Sequence, residues 1–343
     1  MKYAFFPGCS LESTAWDFNR STRAVCGALD IELEDIPDWV CCGSTPAHAS
    51  NASLAVALPV INLQKAQLMG APVMTACASC YSRLRTANHK VRHQPAERER
   101  AEMVTGRPYH GGVEVVHLLD VLINRVGLDA IRKRVLQPLR GLRVASYYGC
   151  LLLRPPQIVA FDVAEHPTCM ESVLAAAGAS PVDWPYRTEC CGASLSITNA
   201  DVACRLGHRL LSMARQAGAN CLAVACPMCQ VNLDLRQADI HKSYGDLSDT
   251  PVLYVTQLLG LALGLPPDAL GLDALSVSPT LLLRRDEVAP GVGTVDKGKE
   301  RASRASARAV VDPFQKDSSA HPEALEGCVP RKSTVPVGGG ATS

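Results

Sequence analysis

Short apolar runs ending at Gly, Pro or Cys alternate along residues 1–275 with longer stretches whose apolar positions recur at helical spacing. In the first half this pattern predicts strands at 3–6, 31–40 and 73–76, with helices at 19–29 and 51–67; Asn51 opens the second helix and Gly70 closes it. The second half repeats the scheme, with strands at 142–148, 181–186 and 221–225 and helices at 168–177 and 200–216. Residues 113–119 close the first half as 253–259 close the second. Strands that alternate with helices point to parallel pairing through helical crossovers. The fold predicted is α/β, built from two pseudo-repeated domains, 1–140 and 141–275, each a short parallel sheet with crossover helices. Between the halves, the polar, Arg-rich stretch 88–112, broken by Pro95 and Pro108, reads as a helix with loops. From 276 to 343 the apolar period ends and Ser, Gly, Pro, Ala and charge take over, which predicts a disordered C-terminal tail.

The repeat is sharpest in the cysteines. Cys41, Cys42, Cys77 and Cys80, moved forward by 149 positions, fall on Cys190, Cys191, Cys226 and Cys229. A fifth cysteine heads each set, giving C-x31-CC-x34-C-x2-C from Cys9 and C-x39-CC-x34-C-x2-C from Cys150. All ten fall at or just after a predicted strand end, the place where open parallel sheets bind ligands. Adjacent residues of an extended strand point to opposite faces, so Cys41 and Cys42 serve one centre only if the chain turns there, and Gly43 permits the turn. Each C-x2-C pair lies at a helix start, where free amide groups favour the thiolate.

Composition narrows the chemistry. With a net charge of +1 and no basic stripe, the chain lacks the electrostatic footprint of a general nucleic-acid or membrane-surface binder. The stretch 251–266, interrupted by Thr256 and Gln257, is shorter than the roughly 20 apolar residues of a span. It reads as a strand running into an amphipathic helix. The first residues lack the apolar core of a secretory signal, so the expected location is the cytoplasm, where cysteines at fixed spacing serve metals or catalysis rather than a disulfide scaffold. Zinc is complete with four ligands and leaves a cysteine over in each half; all-thiolate sets of five suit iron–sulfur chemistry, and a purely redox dithiol role is the third reading.

The motifs Pro7-Gly8-Cys9, Cys41-Cys42-Gly43, Glu189-Cys190-Cys191-Gly192-Ala193-Ser194, Cys226-Pro227-Met228-Cys229 and Asn232-Leu233-Asp234 resemble the two CCG (cysteine-rich) domains of the heterodisulfide reductase B subunit over residues 1–275. That resemblance implies two noncubane [4Fe-4S] clusters, one on Cys9, Cys41, Cys42, Cys77 and Cys80, the other on Cys150, Cys190, Cys191, Cys226 and Cys229. It implies a disulfide split between them, with Cys42 and Cys191 as ligands at the disulfide site. The partners implied are a flavin subunit together with a ferredoxin-like iron–sulfur subunit, each similar to its counterpart in heterodisulfide reductase. The substrate implied is a disulfide, thiol or persulfide, free or on a carrier protein. Two alternatives stand beside disulfide reduction: oxidation of sulfane sulfur in dissimilatory sulfur metabolism, and non-catalytic electron transfer in a succinate, lactate or glycolate oxidoreductase. Cys26, Cys169, Cys204 and Cys221, which have no repeat partner, read as core residues, and Cys328 as a free thiol of the tail. His89, His93, His110 and His117 read as surface or core residues. Arg83, Arg85 and Arg92 read as a solvated face, with a partner surface or an anionic substrate groove as the alternative. Met228 reads as packing.

Overall fold

Two four-stranded parallel sheets carry the architecture, in a computed structural model that describes residues 1–44, 46–245 and 249–283. In the first sheet, strands β1 (Lys2–Phe5), β2 (Glu32–Asp35), β3 (Val73–Thr75) and β4 (Val115–His117) lie in the order β2-β1-β3-β4. The second, from β5 (Arg143–Tyr147), β6 (Ser180–Val182), β7 (Cys221–Val224) and β8 (Val252–Tyr254), has the matching order β6-β5-β7-β8. Every pairing is parallel, with Phe5 opposite Met74 in one sheet and Tyr147 opposite Val224 in the other. The sequence repeat is thus a repeat of topology. In each sheet the order reverses beside the first strand, so the crevice at the carboxyl ends opens where β1 meets β3 and where β5 meets β7.

Local signals account for the element ends. Asn51 Oδ1 accepts from the N–H groups of Ser53 and Leu54 and starts helix Ala52–Met69, which ends on Gly70. Asn199 caps helix Ala200–Gln216, whose apolar stripe packs Leu210, Leu211 and Ala214 into the core. The strand expected over 31–40 is cut to β2 because Pro37 has no N–H to continue a ladder. The strand expected over 181–186 is likewise reduced to β6, with Pro185 just beyond it and Trp184 donating from Nε1 to Ser146 O at 2.9 Å. Stretch 88–112 contributes two helical pieces, the end of Ala78–His93 and then Pro95–Thr105, with Pro95 at the start of the second, where its missing N–H costs nothing. At the ends of the two halves, strand passes straight into helix, Val252–Tyr254 into Val255–Ala262.

Residues 1–283 share one core, and polar contacts cross it. Ser21 and Thr256 hydroxyls meet at 2.7 Å, the rings of Phe18 and Tyr254 stack at 3.9 Å, and Gln257 Nε2 donates to the buried Asp17 carboxylate at 3.2 Å. Cys26, Cys169, Cys204 and Cys221 are buried, as core residues should be. Among the described residues no helix is long and apolar enough to cross a membrane. Of the expected tail, residues 284–343 and with them Cys328 lie outside the described residues.

Candidate functional site

The cysteines gather at the carboxyl ends of both sheets. Cys9 follows β1, Cys77 follows β3, Cys150 follows β5 and Cys226 follows β7, while Cys77 and Cys226 take extended backbone at the starts of helices Ala78–His93 and Pro227–Asp234. Cys41 and Cys42 are delivered by a clamp: buried Asn62 accepts from Val40 N–H and donates to Val40 C=O, both at 2.8 Å. Gly43 and Gly192 then take φ of +71° and +81°, so the chain turns and the adjacent cysteines part: Cys42 and Cys191 go inward, Cys41 and Cys190 stay exposed.

The sulfurs form a file of pairwise contacts. Cys42 Sγ lies 3.4 Å from Cys80 Sγ, and Cys191 Sγ lies 3.6 Å from Cys229 Sγ. Cys80 touches Cys77, Cys77 touches Cys226 across the seam between the halves, and Cys226 touches Cys229. Cys41 joins at one end through Cys42, and Cys150 pairs with Cys190. Cys9 is exposed near Cys41. Two glycines make room for the file. A Cβ on Gly8 would stand 2.8 Å from Cys80 Sγ, and one on Gly149 would stand 3.1 Å from Cys229 Sγ.

Charge is distributed unevenly along it. Hydrogen bonds from Cys41 and then from Cys80 bring the Cys42 thiol down to about 4. The bond from Cys150 lowers Cys190 to about 6. Cys226 is lowered by its bonds to Cys229 and Cys77, while Cys80, held by Cys42, and Cys229, held by Cys191, are raised. A sulfur that accepts S–H bonds is the one that keeps the negative charge.

This arrangement corrects the expected cofactor. Among the described residues no group of three or more His, Cys, Asp or Glu side chains is placed to hold a metal ion. The two noncubane [4Fe-4S] clusters expected on Cys9, Cys41, Cys42, Cys77 and Cys80 and on Cys150, Cys190, Cys191, Cys226 and Cys229 are therefore withdrawn, and with them the assignments of iron–sulfur and metal binding. Disulfide reduction or sulfur oxidation at such clusters, with Cys42 and Cys191 as ligands, is withdrawn too. The physical reason is the file itself: the thiols pair with one another along the seam instead of converging on a centre.

Of the other residues read from the sequence, His117 and Met228 take the core and packing roles expected of them, while Arg83 and Arg85 depart from a solvated face. His117 is a buried core residue whose Nδ1 accepts from Leu119 N–H, so Nε2 donates to Ala76 O at 2.9 Å, just before Cys77; burial brings it down to about 4. Arg85 is no solvated residue, since it donates from Nη2 to Ile158 O at 2.8 Å. Arg83 is half-buried near Cys42 and Cys150, and its buried Nε has no hydrogen-bond partner. Met228 is half-buried and packs against the core. The roles of Asn62, Gly8 and Gly149 were not read from the sequence. For Gly8 and Gly149 the signal was present, since each immediately precedes the first cysteine of its set.

The family model for the CCG cysteine-rich domain matches residues 3–85 and 144–234. The chain is 33% identical over 282 residues to the 8-methylmenaquinol:fumarate reductase membrane anchor subunit of Wolinella succinogenes, covering 82% of this chain and 99% of that one. It is 30% identical over 279 residues to the B subunit of the ferredoxin/F420H2-dependent CoB-CoM heterodisulfide reductase of Methanosarcina acetivorans, covering 79% and 92%. A hypothetical protein from Helicobacter pylori has the same fold, with a TM-score of 0.64 at 13% identity over 81% of this chain; the match spans about half, 52%, of that chain.

Proposed function

Because the chain belongs to the CCG cysteine-rich domain family, whose model matches both of its halves, we propose that it is a cytoplasmic oxidoreductase subunit that acts on sulfur through its own thiols. The observation that carries this reading is the pairing of Cys190 with Cys150: Cys190 is exposed, holds negative charge near neutral pH and has a second thiol in contact. A thiolate, not a thiol, is the nucleophile in disulfide exchange. The Cys190 thiolate attacks one sulfur of a substrate disulfide, forms a mixed disulfide and releases the first substrate thiolate. Cys150, passing its proton to the departing thiolate, then attacks the Cys190 sulfur of the mixed disulfide, releasing the second substrate half as a thiol and leaving a Cys150–Cys190 disulfide. Two electrons and two protons from a partner restore the dithiol. Cys42 and Cys191, each one residue inward of an exposed cysteine and paired with Cys80 and Cys229, supply the inner dithiols of the same file. Cys9, Cys41, Cys77 and Cys226 complete the ten. The partners proposed are a flavin subunit together with a ferredoxin-like iron–sulfur subunit, in keeping with the similarity to a heterodisulfide reductase component.

The match over 99% of a fumarate reductase membrane anchor subunit favours a second reading, in which the chain attaches a fumarate- or succinate-converting enzyme to its electron donor and turns over no disulfide. The test is anaerobic turnover of a small symmetric disulfide by the chain isolated with its partner subunits. Disulfide-dependent electron uptake that is lost in Cys190→Ser and in Cys150→Ser supports the thiol reading. Uptake undiminished in both variants overturns it, and a wild-type assembly without uptake selects the second reading.

A further inference from the structure

Each half brings the loop after its leading cysteine against the helix that follows the other half's C-x2-C pair. In one direction the cover is complete. Residues 154–159, in the loop after Cys150, lie on helix Ala78–His93: the Tyr81 hydroxyl donates to Val159 O at 2.9 Å, the Ser82 hydroxyl to Arg154 O at 3.3 Å and Arg85 Nη2 to Ile158 O at 2.8 Å, and the Val159 side chain is buried. In the other direction the loop is short, because residues 10–15 run at once into helix Trp16–Ala28. They approach helix Pro227–Asp234 through Ser10 and Thr14, which follow Cys9 as Leu151 and Pro155 follow Cys150. What the shorter cover leaves is a cavity of about 440 Å³, lined by Ser10 and Thr14 and by Ile197, Met228, Val231 and Leu235.

The lining runs against its exposure. By the offset of 149, Met228, Val231, Leu235 and Ile197 stand where the first half has Ser79, Ser82, Thr86 and His48. The face that is covered thus carries buried Ser79 and Ser82, while the face left open is apolar, the reverse of what solvent favours. Ile197 is 97% exposed and Leu235 57%, with Leu195 exposed two residues before Ile197. Apolar side chains gathered round an open cavity mark a surface that another molecule covers. At the rim, Arg236 and Asp239 stand 3.7 Å apart, a polar border to the apolar centre. The hydroxyls of Ser10 and Thr14 make no hydrogen bond among the described residues and stand ready to donate, as those of Tyr81 and Ser82 do in the covered half.

We propose that this cavity is the docking site for a loop of the electron-donating partner subunit. That loop supplies from outside what residues 154–159 supply within the chain: an apolar side chain among Ile197, Val231 and Leu235, and main-chain carbonyls for Ser10 and Thr14. Ser10 directly follows exposed Cys9, and Ala193, also in the lining, follows the turn that begins at exposed Cys190. A loop seated here is set beside the exposed sulfurs, where an electron donor has to approach. Both readings of the function require such a partner, and the choice between them does not bear on where it docks.

The test places the photo-crosslinking residue p-benzoylphenylalanine at position 197 or 235 of the full chain, expressed with its partner subunits. Position 103, whose Met is 81% exposed on helix Pro95–Thr105, serves as the control. Mass spectrometry of the irradiated, purified assembly identifies what is captured. Crosslinks from 197 and 235 to one loop of a subunit that carries a redox cofactor are expected, with none from 103. Ile197→Asp should weaken binding of that subunit by about thirtyfold or more and leave the urea midpoint of the isolated chain unchanged, since this side chain is almost wholly in solvent. Capture only of a second copy of this chain, capture within the chain, or no capture from either position overturns the proposal. So does an affinity unchanged in Ile197→Asp. None of these outcomes alters disulfide turnover as the measure of the thiol reading, so the two fail separately.

Discussion

Asp17 sits with its carboxylate buried at the seam between the halves, and replacing it with asparagine gives a stability change whose pH dependence is fixed in advance. Burial raises this carboxyl from 3.8 to about 6, against the opposing hydrogen bonds from Phe18 N–H and its own N–H and from Gln257. A folded-state value above the unfolded one means that the native protein holds a proton that the unfolded chain has lost. Stability contributed by this group is therefore greatest below about pH 4, falls as pH rises from 4 to 6, and stays low above that. One pH unit of displacement is about 1.4 kcal/mol, so holding Asp17 ionised costs the fold about 3 kcal/mol at neutral pH. Asp17→Asn keeps an acceptor for Gln257 Nε2 and removes the charge. The variant should match wild type at pH 4 and exceed it by up to about 3 kcal/mol at pH 7.5, with the gain developing between pH 4 and 6. Urea unfolding under reductant across that range, followed by the fluorescence of buried Trp184, measures the difference. A difference that is flat with pH, or a variant less stable at pH 7.5, would refute the assignment of a raised, buried carboxyl. His117 works in the opposite sense. Lowered by burial to about 4, it withdraws stability as pH falls from about 6.5, so removing Asp17 should expose an acid sensitivity that the pair conceals in wild type.

Two further outcomes follow from the geometry around the thiols. Gly8→Ala and Gly149→Ala both force a side chain onto backbone at φ of +73° and +64°, but the first also drives a Cβ to 2.8 Å from Cys80 Sγ and the second to 3.1 Å from Cys229 Sγ, inside the ordinary contact distance of about 3.5–4 Å. Gly70→Ala, at φ +66° with no atom within 4 Å, shares only the backbone cost of about 1–2 kcal/mol. Urea midpoints should rank the losses Gly8 above Gly149 above Gly70, and equal losses at all three would show that the sulfurs do not press on the glycines. Asn62→Ala strands both polar groups of Val40 and should cost about 2–4 kcal/mol at unchanged urea slope; a loss under 1 kcal/mol would mean that the clamp ahead of Cys41 does not hold.

The sequence was a good guide to what local rules control. The helical period marks helix 200–216 to the residue, and the offset that repeats Cys41-Cys42 and Cys77-x2-Cys80 as Cys190-Cys191 and Cys226-x2-Cys229 carries the doubled sheet order with it. Strand ends were less legible. Residues 31–40 alternate in part as a strand should, yet Pro37 denies the second half of them a ladder and Asn62, 22 residues after Val40, takes over its hydrogen bonds. The cysteines misled for a different reason. Spacing fixes which thiols reach the carboxyl end of a sheet but not whether they converge on a point or pair along a line, and here the contact between Cys77 and Cys226 draws both sets into a file. Arg83 and Arg85 read as a solvated face because a run of arginines on a helix looks solvated until the second half covers one side of it.

That cover is the loop made longer by the eight extra residues between Cys150 and Cys190. It is gripped through its main chain: Tyr81 hydroxyl donates to Val159 O, Ser82 hydroxyl to Arg154 O and Arg85 guanidinium to Ile158 O. Recognition written in carbonyl oxygens is indifferent to the side chains that flank them. Over evolutionary time, Gln157 and Ile158 are therefore free to drift so long as the loop keeps its path, whereas Tyr81, Ser82 and Arg85 are held in place by the carbonyls they grip and Val159 by the burial of its side chain in the core.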